Sequence, residues 1–194
     1  TAVSQKVGNY FIFCPSFEYL TRLYSFFEQE GHPEIDLIVQ TRMMSENERQ
    51  AFLERFQNEN ERTTVGLLVL GGVFSEGIDL VGDRLIGAII ISAGLPQVNF
   101  ERDQIKAYYD NEDADSRKGF HYAYTYPGIN RTLQAAGRVI RTENDRGFIL
   151  YIDSRFRQTP YRTIINELYP DKIEIISPSQ LRMQLRQFWK EQKP

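Results

Sequence analysis

The chain of 194 residues is long enough for one domain, or one and a half, with a sizeable buried core. Hydrophobic residues make up 41% of it and charged residues 25%, which is typical of an ordinary globular protein. The formal net charge of −3 excludes the overall positive field by which many small proteins bind nucleic acids. Any anion-binding site must therefore be local.

The cysteine and histidine content argues against a disulfide or a metal site. A single cysteine, Cys14, leaves no partner for an internal disulfide and fits a reducing, cytoplasmic compartment. His32 and His121 are far apart along the chain, so we predict no zinc or iron–sulfur site in it. No apolar run approaches the ~18 residues that cross a membrane, and no signal peptide is visible, so we expect no membrane partner. The chain begins at Thr1 rather than at methionine, and we expect it to be part of a longer protein.

Taken in chain order, short apolar runs predict buried β-strands, and helical patterns separate them. The predicted strands span 9–14, 36–40, 65–70, 85–92 and 147–153. The predicted helices follow the capping residues Ser16 and Ser45 and then span 97–109, 133–146, 161–168 and 179–190. Apolar strands that alternate with helices predict an α/β fold, in which helices cover both faces of a parallel sheet.

The region between the fourth and fifth predicted strands contains an acidic loop and an aromatic segment. Residues 110–116 lack a core-forming pattern, so we expect a solvated loop there. Alternation then predicts an extended segment with one aromatic face, formed by Phe120, Tyr122, Tyr124 and Tyr126. We expect Pro127-Gly128 to end this segment. The aromatic face could stack nucleic-acid bases, although core packing is the more frequent use of such a pattern.

The predicted helix 133–146 has a polar face that suits phosphate. Gln134, Arg138 and Arg141 stand at i, i+4 and i+7 and so share one face. Two neighbouring guanidiniums repel each other unless an anion lies between them, and their donors match phosphate oxygens as a fork. Alternatively, this face pairs with acidic side chains elsewhere on the surface. The predicted docking stripe on another face consists of Leu133, Ala136, Gly137 and Ile140.

The turn after the third predicted strand is a second candidate for ligand binding. Polar or glycine-rich segments follow all the predicted strands, and in a parallel sheet they meet at one edge, where ligands bind. In this turn the glycines at 71, 72 and 77 allow the backbone to approach a phosphate or sugar closely. Glu76 and Asp79 add acceptors for ribose hydroxyls. The alternative is a glycine-rich connection with a helix-capping carboxylate.

Motifs that would complete a nucleotide site are absent from the sequence. No G-x-x-x-x-G-K-[ST] phosphate loop and no dinucleotide-binding G-x-G-x-x-G follows a strand. Asp153 ends a strand as a metal-holding aspartate would, but Ser154 stands where a second carboxylate would be needed. The sequence therefore suggests half of a site, which can contact a nucleotide phosphate without holding triphosphate and magnesium.

Two motifs carry a resemblance to a known family. The sequences G-G-V-F-S-E-G-I-D-L at 71–80 and Q-A-A-G-R-V-I-R at 134–141 resemble motifs V and VI of superfamily 2 helicases, in the form found in the XPD/DinG branch. F-I-F-C-P-S-F at 11–17 is similar to motif IV, and G-L-P at 94–96 and the segment 145–155 also match the branch. The resemblance covers about residues 9–157, nearly the whole second motor domain. It implies a RecA-like fold without a Walker A motif.

The resemblance implies roles for particular residues. Arg141, with Arg138 beside it, would reach the γ-phosphate of ATP, which is held with Mg on an absent first domain, and Gln134 would order that contact. Residues expected at the nucleotide are Glu76, Gly77 and Asp79, with Asp79 at the ribose. Residues expected at single-stranded DNA are Ser16, Phe17, Thr41, Arg42, Gly72, Val73 and Ser75. The family's iron–sulfur cluster and Walker motifs belong to the other half of the protein.

We therefore expect the second motor domain of an ATP-dependent DNA helicase with a role in DNA repair. Its partners would be single-stranded DNA and the N-terminal helicase domain of the same parent chain. We expect residues 1–178 to form the domain, with an insertion at 97–128, and residues 179–194 to form a C-terminal helix. One alternative is a scaffold domain that binds a nucleotide or nucleic acid without turnover. Another, a self-contained nucleotide-transferring enzyme, is disfavoured by the missing phosphate loop.

Overall fold

Parallel strands form the centre of the computed structural model, which describes residues 1–58, 61–74, 80, 82–112, 117–140 and 145–191. In the described part the strands make one five-stranded sheet in the order β2-β3-β1-β4-β5, in which every neighbouring pair is parallel. Their bounds are β1 Asn9–Cys14, β2 Ile35–Val39, β3 Thr63–Val69, β4 Gly87–Ile91 and β5 Phe148–Ile152. Each strand overlaps its predicted range, and the prediction of an α/β fold with a RecA-like parallel sheet is confirmed. All five strands end at one edge of the sheet, the carboxyl edge, and begin at the opposite one, the amino edge.

Helices cover both faces of this sheet, as the sequence predicts. Against one face pack Phe52 and Phe56, near the end of one helix, and Ala135 and Val139, near the end of another. Against the other face pack Leu20 from the helix after β1 and Trp189 from the last helix. The helices are α1 Phe17–Glu30, α2 Glu46–Glu54, α3 Phe100–Glu112, α4 Lys118–Phe120, α5 Tyr126–Ala136, α6 Tyr161–Leu168 and α7 Pro178–Glu191.

The predicted caps of α1 and α2 are present. The Ser16 hydroxyl accepts a hydrogen bond from the Tyr19 amide at 3.2 Å. Ser45 and Glu48 form a reciprocal capping box, in which the Glu48 carboxylate accepts from the Ser45 amide at 2.7 Å. Because these caps depend only on neighbours along the chain, sequence alone locates them.

The predicted extended aromatic segment is wrong. α4 continues through one turn of π-helix at His121–Thr125 into α5, so Phe120 to Tyr126 are helical throughout. The alternating aromatics also form two pairs at the helical spacing i and i+4. The ring centres of Phe120 and Tyr124 lie 5.2 Å apart, and those of Tyr122 and Tyr126 lie 5.5 Å apart. The segment therefore fits a helix as well as a strand, and packing decides for the helix.

The predicted break at Pro127-Gly128 is also wrong, because both residues lie inside α5. Pro127 stands where the π-helical turn passes into α5, and the Ala123 carbonyl oxygen, four residues before it, accepts a hydrogen bond from the Arg102 guanidinium at 2.7 Å. Gly128 lets α5 approach the end of β4: a β-carbon there would lie 2.7 Å from the Ala93 carbonyl oxygen. Gly137, the glycine of the predicted docking stripe, has no such close contact, because a β-carbon there would lie 3.4 Å from its nearest neighbour.

The helix predicted over 133–146 ends earlier than expected, at Ala136. Gly137 and Ile140 are exposed, so the predicted docking stripe is only partly correct, and the buried residues are Ala135, Ala136 and Val139. The helical spacing used for the prediction does not extend beyond Ala136, which explains the difference.

The predicted acidic loop begins later than expected, because α3 continues to Glu112. The last part of that loop, 113–116, lies outside the described residues. Asp110 accepts hydrogen bonds from Lys106 at 2.7 Å and from the Gly119 amide at 3.0 Å, so one of the acidic residues joins α3 to α4.

Candidate functional site

The carboxyl edge brings together the residues that were predicted to contact DNA and that the structure describes. Ser16 and Phe17 follow β1, Thr41 and Arg42 follow β2, and Gly72 and Val73 follow β3. Since β3 lies between β1 and β2, these three segments are neighbours. Thr41 and Arg42 are exposed, and so is Val73, at 48%. Ser75, the remaining member of the set, lies outside the described residues.

Gln40 holds two of these segments together. Its side chain is 5% exposed and accepts a hydrogen bond from the Val69 amide at 2.8 Å. The backbone amide of Gln40 donates to the Leu67 carbonyl oxygen at 2.9 Å. The ends of β2 and β3 are therefore fixed to each other directly below Thr41 and Gly72. Sequence reasoning missed this role, because nothing along the chain marks which strand Gln40 faces.

Arg42 reaches across the end of β3 to the start of α1. Its guanidinium carbon lies 4.8 Å from the centre of the Phe17 ring, a cation–π contact. Ser16 stands beside this contact at the N-terminus of a 14-residue helix, where the helix dipole and free amides favour an anion. Its hydroxyl oxygen caps the helix, which leaves the hydroxyl hydrogen able to donate elsewhere. This corner of the carboxyl edge therefore presents donors and a positive charge to solvent.

Arg131 is a further cation at this edge that sequence reasoning missed. It lies on α5 and crosses the backbone of Gly71: a β-carbon at Gly71 would be 3.0 Å from the Arg131 Cδ and 3.1 Å from its Nε. Gly71 has a φ of 74°, which glycine adopts readily. Arg131 precedes Gln134 by three residues, a spacing at which two residues of a helix are neighbours. The sequence would have indicated Arg131 as a candidate if the helix had been predicted to begin at Tyr126.

Gln134 and Arg138 lie away from the carboxyl edge. Gly128, at the start of α5, contacts the segment that follows β4. Val139, after the end of α5, lies beside Gly147, which in turn lies beside Ile86, just before β4. α5 therefore runs from the carboxyl edge towards the amino edge, opposite to the strands.

On α5 itself, Gln134 is exposed and belongs to the helix, while Arg138 is half-buried and follows its end. The Arg138 amide donates to the Ala135 carbonyl oxygen at 3.3 Å, in a turn tighter than an α-helix. The prediction that the two side chains share one continuous helix is thus wrong. The other residues predicted at the nucleotide lie outside the described residues, namely Arg141, Glu76, Gly77 and Asp79.

Asp153, at the carboxyl end of β5, is engaged by its neighbour. The Arg155 guanidinium donates to both carboxylate oxygens, at 2.8 and 2.6 Å, and also to the Ser92 hydroxyl at 3.2 Å. The hydrogen bond from the Arg155 side chain is the main cause that lowers the pKa of Asp153 below its usual value. Through Arg155, this carboxylate therefore joins the end of β5 to Ser92 after β4.

Two kinds of feature are absent from the described residues. No group of three or more histidine, cysteine, aspartate or glutamate side chains in them could hold a metal ion. None of their helices is both long and apolar enough to cross a membrane.

Named relatives cover most of this chain but only a part of their own length. Probable ATP-dependent helicase MJ0942 of Methanocaldococcus jannaschii is 29% identical, over 88% of this chain and 27% of the relative. ATP-dependent DNA helicase YoaA of Haemophilus influenzae is 26% identical, over 82% of this chain and 23% of the relative. The XPD helicase subunit of general transcription and DNA repair factor IIH from Dictyostelium discoideum is 27% identical, over 64% and 16%.

A solved structure has a similar fold. The chain described as XPD_APO matches with a TM-score of 0.62 at 20% identity, over 88% of this chain and 33% of that one. The sequence model of the helicase C-terminal domain matches residues 1–172. The chain therefore belongs to the helicase C-terminal domain family and, with these relatives, to its XPD/DinG branch.

Proposed function

We propose that this chain is the second motor domain of an ATP-dependent DNA helicase, which grips single-stranded DNA and contacts ATP held mainly by a first motor domain. The observation that carries the proposal is the presence of two separate donor sets on one domain. One lies at the carboxyl edge, and the other lies along α5 towards the amino edge. The chain spans only about a quarter of the first two relatives, at 27% and 23% of their lengths, and we propose the activity for a longer protein of which this chain is a part.

The nucleotide half of the proposal rests on the chemistry of Gln134 and Arg138. The exposed amide of Gln134 on α5 and the half-buried guanidinium of Arg138 just after its end are both donors that suit phosphate oxygens. Arg141 completes the set as the proposed finger to the γ-phosphate, and Glu76, Gly77 and Asp79 contact the rest of the nucleotide. An arginine finger stabilises charge in the transition state of phosphoryl transfer and contributes roughly 10³–10⁵ in rate. Bound ATP with Mg supplies the phosphoryl group that this chemistry transfers.

The DNA half of the proposal rests on the carboxyl edge. Ser16 and Arg42 offer a hydroxyl donor and a guanidinium, and the exposed Thr41 adds a second hydroxyl. We propose that these groups, together with Phe17 and the loop from Gly72 to Ser75, hold the backbone of single-stranded DNA. Closure of the two motor domains on ATP, and their opening after hydrolysis, would then move the strand.

We also propose the domain limits predicted above. Residues 1–178 form the motor domain with an insertion at 97–128, and residues 179–194 form a C-terminal helix. α7 lies in that last segment, and its Trp189 packs with Phe148 of β5 at a ring distance of 6.4 Å.

The experiment that tests the nucleotide half compares DNA-stimulated ATP hydrolysis of the full-length protein with that of its Arg141→Ala and Arg138→Ala variants. We expect Arg141→Ala to reduce turnover by about 10³-fold or more, since the finger acts in the transition state. ATP affinity, measured alongside, should remain close to that of the wild type.

A matched control is Arg186→Ala, which removes an exposed guanidinium that donates to Gln5 at 3.0 Å near the amino edge. It should leave turnover unchanged. If Arg141→Ala also hydrolyses ATP normally, the finger assignment fails, and the scaffold domain without turnover becomes the better account.

A further inference from the structure

Arg131 is a charged residue at the carboxyl edge to which neither half of the proposed function assigns a role. Its side chain is half-buried, and its Cδ and Nε lie 3.0 and 3.1 Å from the place of a β-carbon at Gly71, so contact with this glycine restricts its position. Side chains of arginine in solvent are usually free to move through many rotamers, and fixing one costs conformational entropy. The fixed guanidinium is therefore already placed for a ligand.

In the part of the chain that the structure describes, the side chain of Arg131 makes no hydrogen bond and no ion pair, while its backbone belongs to α5. Other arginines at or near this edge differ from it. Arg155 forms its bidentate pair with Asp153, and Arg157 pairs with Glu174. A guanidinium that is partly removed from water and has no anionic partner has its donors available for one.

The neighbours of Arg131 indicate the class of anion. The guanidinium lies over the start of the loop that contains Gly72 and Val73, and Gly72 is joined through Gln40 to the segment with Thr41 and Arg42. From Arg131 to the end of α5 at Ala136 the helix axis rises by roughly 7 Å, and Arg138 follows two residues later. One phosphate group cannot bind at both positions, so Arg131 belongs with the carboxyl edge rather than with the nucleotide contacts.

We infer that Arg131 binds a backbone phosphate of the single-stranded DNA and fixes the strand on the loop that begins at Gly71. This inference rests on the proposed function and adds a phosphate contact to its DNA half. A guanidinium presents a planar fork of donors that matches two phosphate oxygens, whereas a lysine at the same place would act only as a point charge. The absence of a side chain at Gly71 leaves the space in which the guanidinium lies.

The test measures the affinity of the full-length protein for an oligothymidylate over a series of salt concentrations. Each phosphate contact contributes ~0.7 to the slope of the logarithm of affinity against the logarithm of salt concentration. We expect Arg131→Gln to weaken binding roughly tenfold at low salt and to lower the slope by about 0.7. Arg131→Lys should keep the slope, because it keeps the charge, but should bind severalfold more weakly because the fork is lost.

Arg186→Gln is the matched control, since it removes an exposed guanidinium near the amino edge. Its affinity and slope should equal those of the wild type. Thermal unfolding of each variant shows whether it is folded. If Arg131→Gln fails to fold, Arg131→Lys decides: weaker binding at an unchanged slope supports the inference, and unchanged binding overturns it.

Two results separate the inference from the proposal beneath it. If Arg131→Gln binds the oligonucleotide as the wild type does, or loses affinity for ATP instead, the inference is wrong while the DNA half of the proposed function stands. If the wild-type protein does not bind single-stranded DNA at all, the DNA half fails and the inference fails with it. The Arg141→Ala measurement is unaffected by either result.

Discussion

Asp153 shows, at the scale of a single residue, how a polar group at the carboxyl edge is used for structure. Its carboxylate accepts two hydrogen bonds from Arg155, which also reaches Ser92 after β4. Tyr161, from α6, donates to the Ala93 carbonyl oxygen at 3.4 Å in the same place. The ends of β4 and β5 are thus fixed by side chains, in the same way that Gln40 fixes β2 and β3.

This arrangement predicts a dependence of stability on pH. Because the folded state lowers the pKa of Asp153, the ionised carboxylate stabilises the fold above its unfolded pKa of about 3.9, and this contribution is lost as the pH falls through the lowered value. We expect Asp153→Asn to reduce the free energy of unfolding at pH 7 and the deficit to shrink below about pH 4.

Urea unfolding at several pH values measures this effect, with Asp171→Asn, at an exposed position, as the control. A deficit of the same size at low and neutral pH would show that the charge on Asp153 is not what stabilises the fold.

Residues of this kind also show what sequence reasoning can and cannot find. Ser16, Ser45 and Glu48 were found because a cap is recognised by residues within one turn of each other. Gln40 and Arg131 were not, since their partners, Val69 and Gly71, are 29 and 60 positions away and are brought close only by the sheet and by α5.

At the scale of the element, α5 is the part of the chain that differs most from its prediction. Proline and glycine usually end a helix, yet Pro127 and Gly128 lie at the start of α5, because Arg102 donates to the Ala123 carbonyl oxygen four residues before the proline and the contact with the segment after β4 requires glycine. The pattern of apolar residues locates the helix but not its start, which depends on what the helix packs against.

The close contact at Gly128 predicts an asymmetry between two identical substitutions in one region. We expect Gly128→Ala to lower the free energy of unfolding by about 1–3 kcal/mol, because its β-carbon would meet backbone atoms of Ala93, Gly94 and Leu95, which cannot move aside easily. Gly137→Ala, whose β-carbon has normal contacts and whose φ of −65° suits alanine, should be neutral or stabilising by up to ~1 kcal/mol.

Chemical unfolding of the two variants beside the wild type tests this asymmetry. Equal changes in stability would mean that α5 does not depend on its contact with the segment after β4.

At the scale of the whole molecule, the α/β fold followed from the sequence because strand and helix periods alternate clearly along most of the chain. The parallel sheet then requires that the strand ends meet, and so places Ser16, Thr41 and Gly72 together. What did not follow was the separation between that edge and Arg138, which lies just after the end of α5. It depends on the direction in which α5 crosses the sheet, and no motif records that direction.

A domain with one half of a nucleotide site should not hydrolyse ATP alone. We expect the purified 194-residue chain to show no ATP turnover above background, because its sequence lacks the phosphate loop that holds triphosphate. The same assay on the full-length protein with single-stranded DNA should show turnover. Robust hydrolysis that co-purifies with the isolated chain through successive columns would contradict the interpretation that the chain contains only half of a nucleotide site.

The direction of α5 has a consequence for how the two ligands of the proposed motor would influence each other. α5 carries Arg131 at its middle and ends at Ala136, two residues before Arg138, and its first turn is held against the backbone after β4. If a shift imposed at one end of α5 reaches the other end, the two occupancies share a coupling free energy. Linkage then requires reciprocity: if ATP loosens the hold on the strand by some factor, the strand weakens ATP binding by the same factor.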